Sequence, residues 1–325
     1  MPTLPQPRGP VSETLLAALR RPPAPLPAPP ETDFEDLQLA LYCCYELHYR
    51  GFDGVDDAWE WEPALLAFRG ELERRFAADA GEPGEPPDPD AIDVCLRELM
   101  HGDEAPSVSA YIEREATVEQ TLEFLIHRSA YQLKEADPHS WAIPRLHGAP
   151  KAALVEIQAD EYGEGRPEHV HAALFARTLE AVGLDAAYGA YLNRIPGVTL
   201  ATVNLMSWFG LHRRLRGAIV GHLALFEMTS SIPNRRYGAG LRRLGFDGED
   251  ATAFFDVHVV ADAVHESIAA VDLAGGLARQ DPALGADVLW GAQALAAFEG
   301  RWASHLLDAW SAGRSSLRAA ELVPS

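Results

Sequence analysis

From Thr32 onward, apolar residues recur at every third or fourth position, the interval that lines one face of an α-helix. The first such run, Phe34 to Tyr49, follows Thr32 and Glu35 spaced as a capping box and stops at Gly51. A second runs from Pro63, a favoured first-turn residue, to Asp79, with Leu65, Leu66, Leu72 and Phe76 at helical spacing. The acidic, proline-rich stretch from Gly81 to Asp90 then reads as a surface loop. Thr117 and Gln120 cap a helix predicted to reach Ala136, because the residue before Pro138 avoids the helical region; Glu135 falls on its last turn. Pro150 opens a helix ending near Gly163 and Pro167 opens one ending at Gly183, so Glu161 and His171 sit on consecutive helices across a tight glycine corner. Helical periodicity then covers Val198 to Ser230 with a break near Gly210 to Arg216, Asn234 to Leu244, Asp250 to Ala278, and Pro282 to Trp310. About nine helices, with no alternating strand pattern and no repeat of fixed length, predict an all-α class.

Ten prolines within residues 1–31 change the picture at the N-terminus. At that density a packed core is not expected, and the segment reads as a poorly ordered arm outside the fold. The rest divides into an N-terminal helical extension, 32–116, and a main helical domain, 117–325. A chain of 325 residues that is 47% hydrophobic can bury a large core. Its 48 acidic and 27 basic residues give a formal charge of −21, which repels phosphates and anionic lipids, so neither nucleic acid nor membrane is an expected partner. Three cysteines, two of them adjacent at Cys43 and Cys44, supply neither a disulfide framework nor a C-x-x-C pattern. With no long apolar run and no secretion-type N-terminus, a cytoplasmic protein is expected, and a homodimer is the common assembly at this size.

Candidate chemistry concentrates in the string His258-Val-Val-Ala-Asp262-Ala-Val-His265. On a helix, offsets of four and seven place those three side chains within an arc of roughly 60°. The flanking valines and alanines make the segment apolar almost all round, as for a buried helix, and buried acids and imidazoles need partners. A metal would satisfy them, as would an acid–histidine pair without metal; a solvated face with surface histidines is the plain alternative. Glu135, Glu161 and His171, on earlier helices, would complete a cluster if the fold brings them to the stripe, with His169 competing for the role of His171. Carboxylate and imidazole in this mixture suit iron better than calcium, which prefers oxygen alone, or structural zinc, which favours sulfur. Six such groups can hold two divalent ions and leave positions open for oxygen and substrate. Weaker candidates for a pocket lining or for contacts to metal ligands are Trp208, His212, Arg213, Arg214, Arg216, His222 and Glu227. Arg235 and Arg236 could clamp a substrate carboxylate, and Glu46 and His48 could reach the pocket from the first helix. The acid-x-x-His spacing of Glu168 with His171 and of Asp262 with His265 also suits a ferritin-like carboxylate protein, in which His258 would be spare.

The stretch Leu133 to Pro138, the stretch Glu156 to Gly163 leading to His171, and the string His258 to His265 resemble the haem-oxygenase-like diiron oxidases and oxygenases, a family of iron-containing redox enzymes. The resemblance covers roughly residues 120 to 311. That family's ligands are a Glu, a second Glu twenty-six residues later, a His ten beyond it, and a final His-x-x-x-Asp-x-x-His; the resemblance therefore implies Glu135, Glu161, His171, His258, Asp262 and His265 as ligands of two irons. It also implies a haem-oxygenase-like bundle of about seven core helices. The implied chemistry uses oxygen as co-substrate and an external electron donor, and acts on a small molecule such as an amino acid, amine or fatty-acid derivative in biosynthetic metabolism. Known family activities include N-oxygenation, oxidative decarboxylation of fatty acids, and cleavage or cyclisation of amino acids. A metal-free haem-oxygenase-like oxidase, hydrolase or binding module shares the fold, and the complete ligand set argues against it.

Overall fold

Among the described residues, 1–102 and 105–319 of a computed structural model with the side chains of residues 260 and 262–264 left outside the description, the chain forms helices joined by turns and no strand. The first, α1 (Pro10–Leu19), arises within the proline-rich segment that was expected to be loosely ordered. Its prolines flank, and do not interrupt, the helical spacing of Val11, Leu15, Leu16 and Leu19, all four of them fully buried. Asp36 of α2 (Phe34–Glu46) accepts from the backbone N–H groups of Val11 and Ser12 at 2.9 and 2.8 Å, an anion set against a helix N-terminus. Arg8 adds an ion pair to Glu35 at 2.9 Å and donates to the carbonyls of Leu192 and Ile195, so the arm is tied to the body. The cap of α2 is Asp33 and not Thr32, whose hydroxyl instead donates to Asp36.

After α3 (Pro63–Ala80) the expected loop gives way to α4 (Ile92–Gly102) and α5 (Val108–Arg114), two short helices absent from the sequence-based expectation. Next come α6 (Val118–Gln132), closed by the Thr117–Gln120 capping box, α7 (Asp137–Ser140), α8 (Gly148–Glu161) and α9 (His171–Ala181). The break expected near residues 210–216 is a 3-10 turn between α10 (Gly197–Leu211) and α11 (Arg216–Arg243). The helix α11 then runs unbroken through Pro233, where two helices had been expected. The helix α12 (Glu249–Ser267) widens into a π-helical stretch, Ile268–Gly275, before α13 (Gly276–Gln280) and α14 (Gly285–Ser311) complete the bundle.

The axis of the packing is α11, which lies along both α14 and α12. Its backbone touches that of α14 at Gly221 and Gly291, where a Cβ would collide with the carbonyls of Val288 and Ala218; only glycine permits that approach. One apolar cluster joins Leu15, Leu39 and Phe76 to Phe209, Leu223 and Phe298, so residues 32–116 share their core with the rest of the chain. A second gathers Phe124, Phe175, Phe254 and Trp302 from α6, α9, α12 and α14. No helix of the described residues is long and apolar enough to cross a membrane.

Three imidazoles are buried in this bundle and held neutral. Burial, reinforced by nearby His305 and Arg128, pushes His127 well below its ordinary value; burial pushes His139 down to about 4; burial together with His139 depresses His222. Unfolded, these groups take protons near pH 6.5, whereas the folded chain takes them only at lower pH, about 4 for His139, so the unfolded state binds more protons as the pH falls through 6.5. Stability is therefore full above about pH 6.5 and falls as pH is lowered toward 4. His127→Gln, which keeps one polar contact to Thr199 or Ser316 without a titrating ring, should lose less stability than the parent chain between pH 7 and pH 5 in urea unfolding. Equal losses would mean that His127 does not contribute to the pH dependence.

Candidate metal centre

Glu135, Glu161, His171 and His265 sit where helices begin, end or change pitch, whereas His258 lies within α12. The helix α6 stops at Gln132, four residues before the expected end, and Glu135 follows in a turn that reverses at Ala136, whose φ of 71° is left-handed. For alanine that conformation costs about 1–2 kcal/mol, so the turn must be held by its surroundings. Glu46 of α2 and Lys134 do much of the holding: they form an ion pair of 2.9 Å in which both side chains are buried. Tyr188 donates to both oxygens of Glu46 at 2.8 and 2.7 Å, Tyr42 and Tyr49 face the Lys134 ammonium, and Arg50 donates to the Leu133 carbonyl at 2.9 Å. From α8, the Gln158 amide donates to the carbonyl of Ala136. Glu161 is the last residue of α8, ahead of Gly163 at φ 66°, and His171 is the first of α9, after a 3-10 turn at Pro167–His169.

These elements bring Glu135, Glu161, His171 and His258 into one buried group whose ligand atoms all lie within 4.8 Å of one another. His171 Nδ1 is 2.8 Å from Glu161 Oε2, and His258 Nε2 is 3.8 Å from Glu135 Oε1. His258 Nδ1 donates to the Phe254 carbonyl at 2.6 Å; a carbonyl can only accept, so the lone pair is fixed on Nε2, facing the cluster. Glu161, Glu227 and His265 form a second buried group within the same 4.8 Å limit. His265 Nδ1 faces Glu227 Oε2 at 3.3 Å, while its outer nitrogen, Nε2, lies 3.2 Å from Asp160 on the last turn of α8. Asp160 is placed to keep the proton on Nε2 and leave Nδ1 as the donor atom. Glu161 belongs to both groups.

The electrostatics fit cations. Burial would raise the Glu161 carboxyl, but His171, His258 and His265 outweigh it and hold it below its ordinary value. Burial, with the Glu161 charge adding to it, pushes Glu227 up. Burial beside His171 lowers His258 to about 4; at His265 burial is outweighed by Glu227, Glu161 and Asp160, which push it up to about 9. Three acids packed this closely share protons with imidazoles, the role a divalent ion takes over when it binds. Glu161 Oε2 and His265 Nδ1 are buried without a well-directed hydrogen bond, and a void of about 10 Å³, the size of one water, lies among Glu135, Glu161, Glu227 and His258. The donor set and the space both suit iron.

Five of the six sequence-predicted ligands thus converge, and the side chain of the sixth, Asp262, lies outside the described residues. The other candidates separate. Glu227 moves from the pocket-lining list into the cluster itself; its sequence signal is a single acid in the apolar run from Ala218 to Met228. Glu46 does not line the cavity but anchors Lys134. His222 pairs with His139 at 3.1 Å, and Trp208 packs among Phe76, Phe209 and Trp290, both of them away from the ligands. Arg235 is exposed, Arg236 reaches Glu113, His212 bonds Glu73, and His48 meets Arg69. Glu168 and His169 are exposed, so the ferritin-like pairing of Glu168 with His171 does not form, and His171 is the buried imidazole.

The fold is haem-oxygenase-like and all-α, and it encloses a buried carboxylate–imidazole centre. The chain belongs to the family of iron-containing redox enzymes, which matches residues 122–300. Over 139 residues it is also 31% identical to the nitrosourea synthase of Streptomyces achromogenes subsp. streptozoticus. That stretch covers 42% of this chain and 29% of the synthase, so the chain matches under a third of that relative's length.

Breaking the buried pair by Glu46→Gln alone strands the Lys134 charge and should cost about 3–5 kcal/mol of stability. Glu46→Gln combined with Lys134→Met removes both charges, and iron affinity measured against a competing chelator should fall at least about tenfold because the Glu135 turn is loosened. Unchanged affinity in a folded double variant would show that the pair does not position Glu135.

Proposed function

We propose that this protein is a non-haem diiron, oxygen-dependent oxidoreductase acting on a small molecule, with its electrons delivered by an external donor. The observation that carries the reading is Glu161, one carboxylate common to two buried ligand groups. Glu135, His171 and His258 would hold one iron and Glu227 and His265 the other, with Glu161 between them; Asp262 is a further ligand candidate by its place in the sequence string. Reduced iron, when bound, supplies electrons that activate dioxygen for insertion into a substrate or removal of hydrogen from it.

The protein's own contribution is position. The Phe254 carbonyl and Asp160 orient the two imidazoles of α12, and the buried Lys134–Glu46 pair sets the turn of Glu135. Beside Glu135 and His258 opens a cavity of about 280 Å³, walled mainly by aromatic and aliphatic side chains, which would present a substrate to the centre. The relative named as a nitrosourea synthase supports placing this chemistry in small-molecule biosynthesis.

Anaerobic loading with ferrous iron should give about two irons per chain, and admitting oxygen should produce a transient visible absorption. His258→Ala should lower the bound iron to about one, as expected for a ligand and not for the spare histidine of a ferritin-like site. Glu161→Ala should lose most of both; full iron content in that variant would overturn the shared-carboxylate reading.

A further inference from the structure

The cavity next to the centre differs from an ordinary charged-metabolite site in one respect: among the described residues it offers no unspent charge away from the metal-ligand candidates. Among the described residues, its charged side chains other than Glu135 and His258 are Arg128 and Glu299. They bind each other through two parallel hydrogen bonds, Nη1 to Oε1 at 3.1 Å and Nη2 to Oε2 at 2.8 Å, the fork geometry that satisfies both groups. Arg128 is further fixed by lying over the Trp302 ring, 3.9 Å from its centroid. A substrate charge brought into this space would either stay unpaired in an apolar enclosure or have to split that pair, and both are costly.

Most of the other walls are apolar, with Phe124, Phe175, Phe254, Phe255 and Leu225 prominent among them, and the uncharged polar side chains of Ser107, Ser109, Thr229, Ser230, Asn234 and Tyr237 line the rest. One polar group stands out. Gln132, the last residue of α6 and one turn before Glu135, lines the cavity while only 8% exposed, and its carboxamide oxygen is buried without a hydrogen-bond partner among the described residues. Leaving such a group unpaired costs about 1–3 kcal/mol, which a bound molecule can recover. An amide can present either a donor or an acceptor, and it carries no charge. The space is about twice that of a cavity that admits benzene, room for about a dozen non-hydrogen atoms.

We propose that this cavity takes an uncharged molecule with an aromatic or aliphatic body, whose single hydrogen-bonding group pairs with the Gln132 carboxamide and so lies against the Glu135 and His258 end of the cavity. The diiron reading bears only on what happens to that group, not on whether the cavity selects it. Gln132 is then the specificity-determining residue, and Arg128 with Glu299 forms a closed floor and not a charge receptor.

Three probes with one ring and one chain separate the possibilities: 3-phenylpropanamide, 3-phenylpropanoate and L-phenylalanine. Isothermal titration of the full-length protein freed of metal, so that iron cannot capture a carboxylate, should show the amide binding at least about tenfold more tightly than the other two. Gln132→Leu should reduce that preference to less than about threefold without changing the helical circular-dichroism signal. Gln132→Glu should redirect it to the 3-phenylpropylammonium ion, which keeps the test open if the leucine variant fails to fold. Equal or tighter binding of the carboxylate or the amino acid, or no binding by any of the three, overturns the proposal. Iron counted after the same protein is reloaded anaerobically with ferrous iron is independent: a low count would remove the diiron reading and leave the cavity's preference standing.

Discussion

Glu161 and its two acidic neighbours, Glu135 and Glu227, are buried together in the middle of an apolar helical bundle, and that concentration of anions governs the rest of the structure. Buried carboxylates at this separation repel one another strongly in a low-dielectric interior and persist only where positive partners offset them. The chain supplies three imidazoles, His171, His258 and His265, of which His258 is pushed down and His265 up by their surroundings. Bound divalent cations would meet the same requirement, because one ion can draw on several oxygens and nitrogens at once. The unusual backbone follows from the same requirement: Glu135 sits in a left-handed turn, Glu161 at the last position of its helix, His171 at the first of its own, and His265 just ahead of a π-helical stretch. Helix ends and wide turns let side chains from five elements point at one place.

Much of this was legible in the sequence. The four- and seven-residue offsets in α12, the all-apolar flanks and the capping signals at Thr117 place His258 and His265 on a buried helix without further information. The departures have physical reasons. The helix α6 ends early because the Lys134–Glu46 pair and the Gln158 amide stabilise a left-handed residue that local propensity disfavours, and such tertiary contacts leave no local trace. The helix α1 was missed because its prolines dominate composition while its four buried positions carry the packing. Glu227 and Asp160 gain their places from the approach of α11 and α8 to α12, which residue spacing along one helix does not encode.

The region that matches the iron-containing redox enzymes begins at residue 122, yet the site depends on residues well before it. Glu46, Tyr42 and Arg50, on or just after α2, grip the turn that carries Glu135, and α2 is itself braced by α1 through Asp36. Toward the other side the cavity runs from Glu135 and His258 to the Arg128–Glu299 pair, so one face of α6 displays a guanidinium, an amide and, just beyond its end, a ligand carboxylate at helical intervals. The first group is neutralised by Glu299, the second lines the cavity with its carboxamide oxygen unpartnered among the described residues, and the third belongs to the buried cluster.

Anomalous diffraction at the iron edge, from crystals loaded with ferrous iron without oxygen, tests the central claim most directly. Two iron peaks about 3.5–4 Å apart, each within bonding distance of an oxygen of Glu161, are predicted. A single peak, or two peaks of which only one is bonded to Glu161, would contradict it.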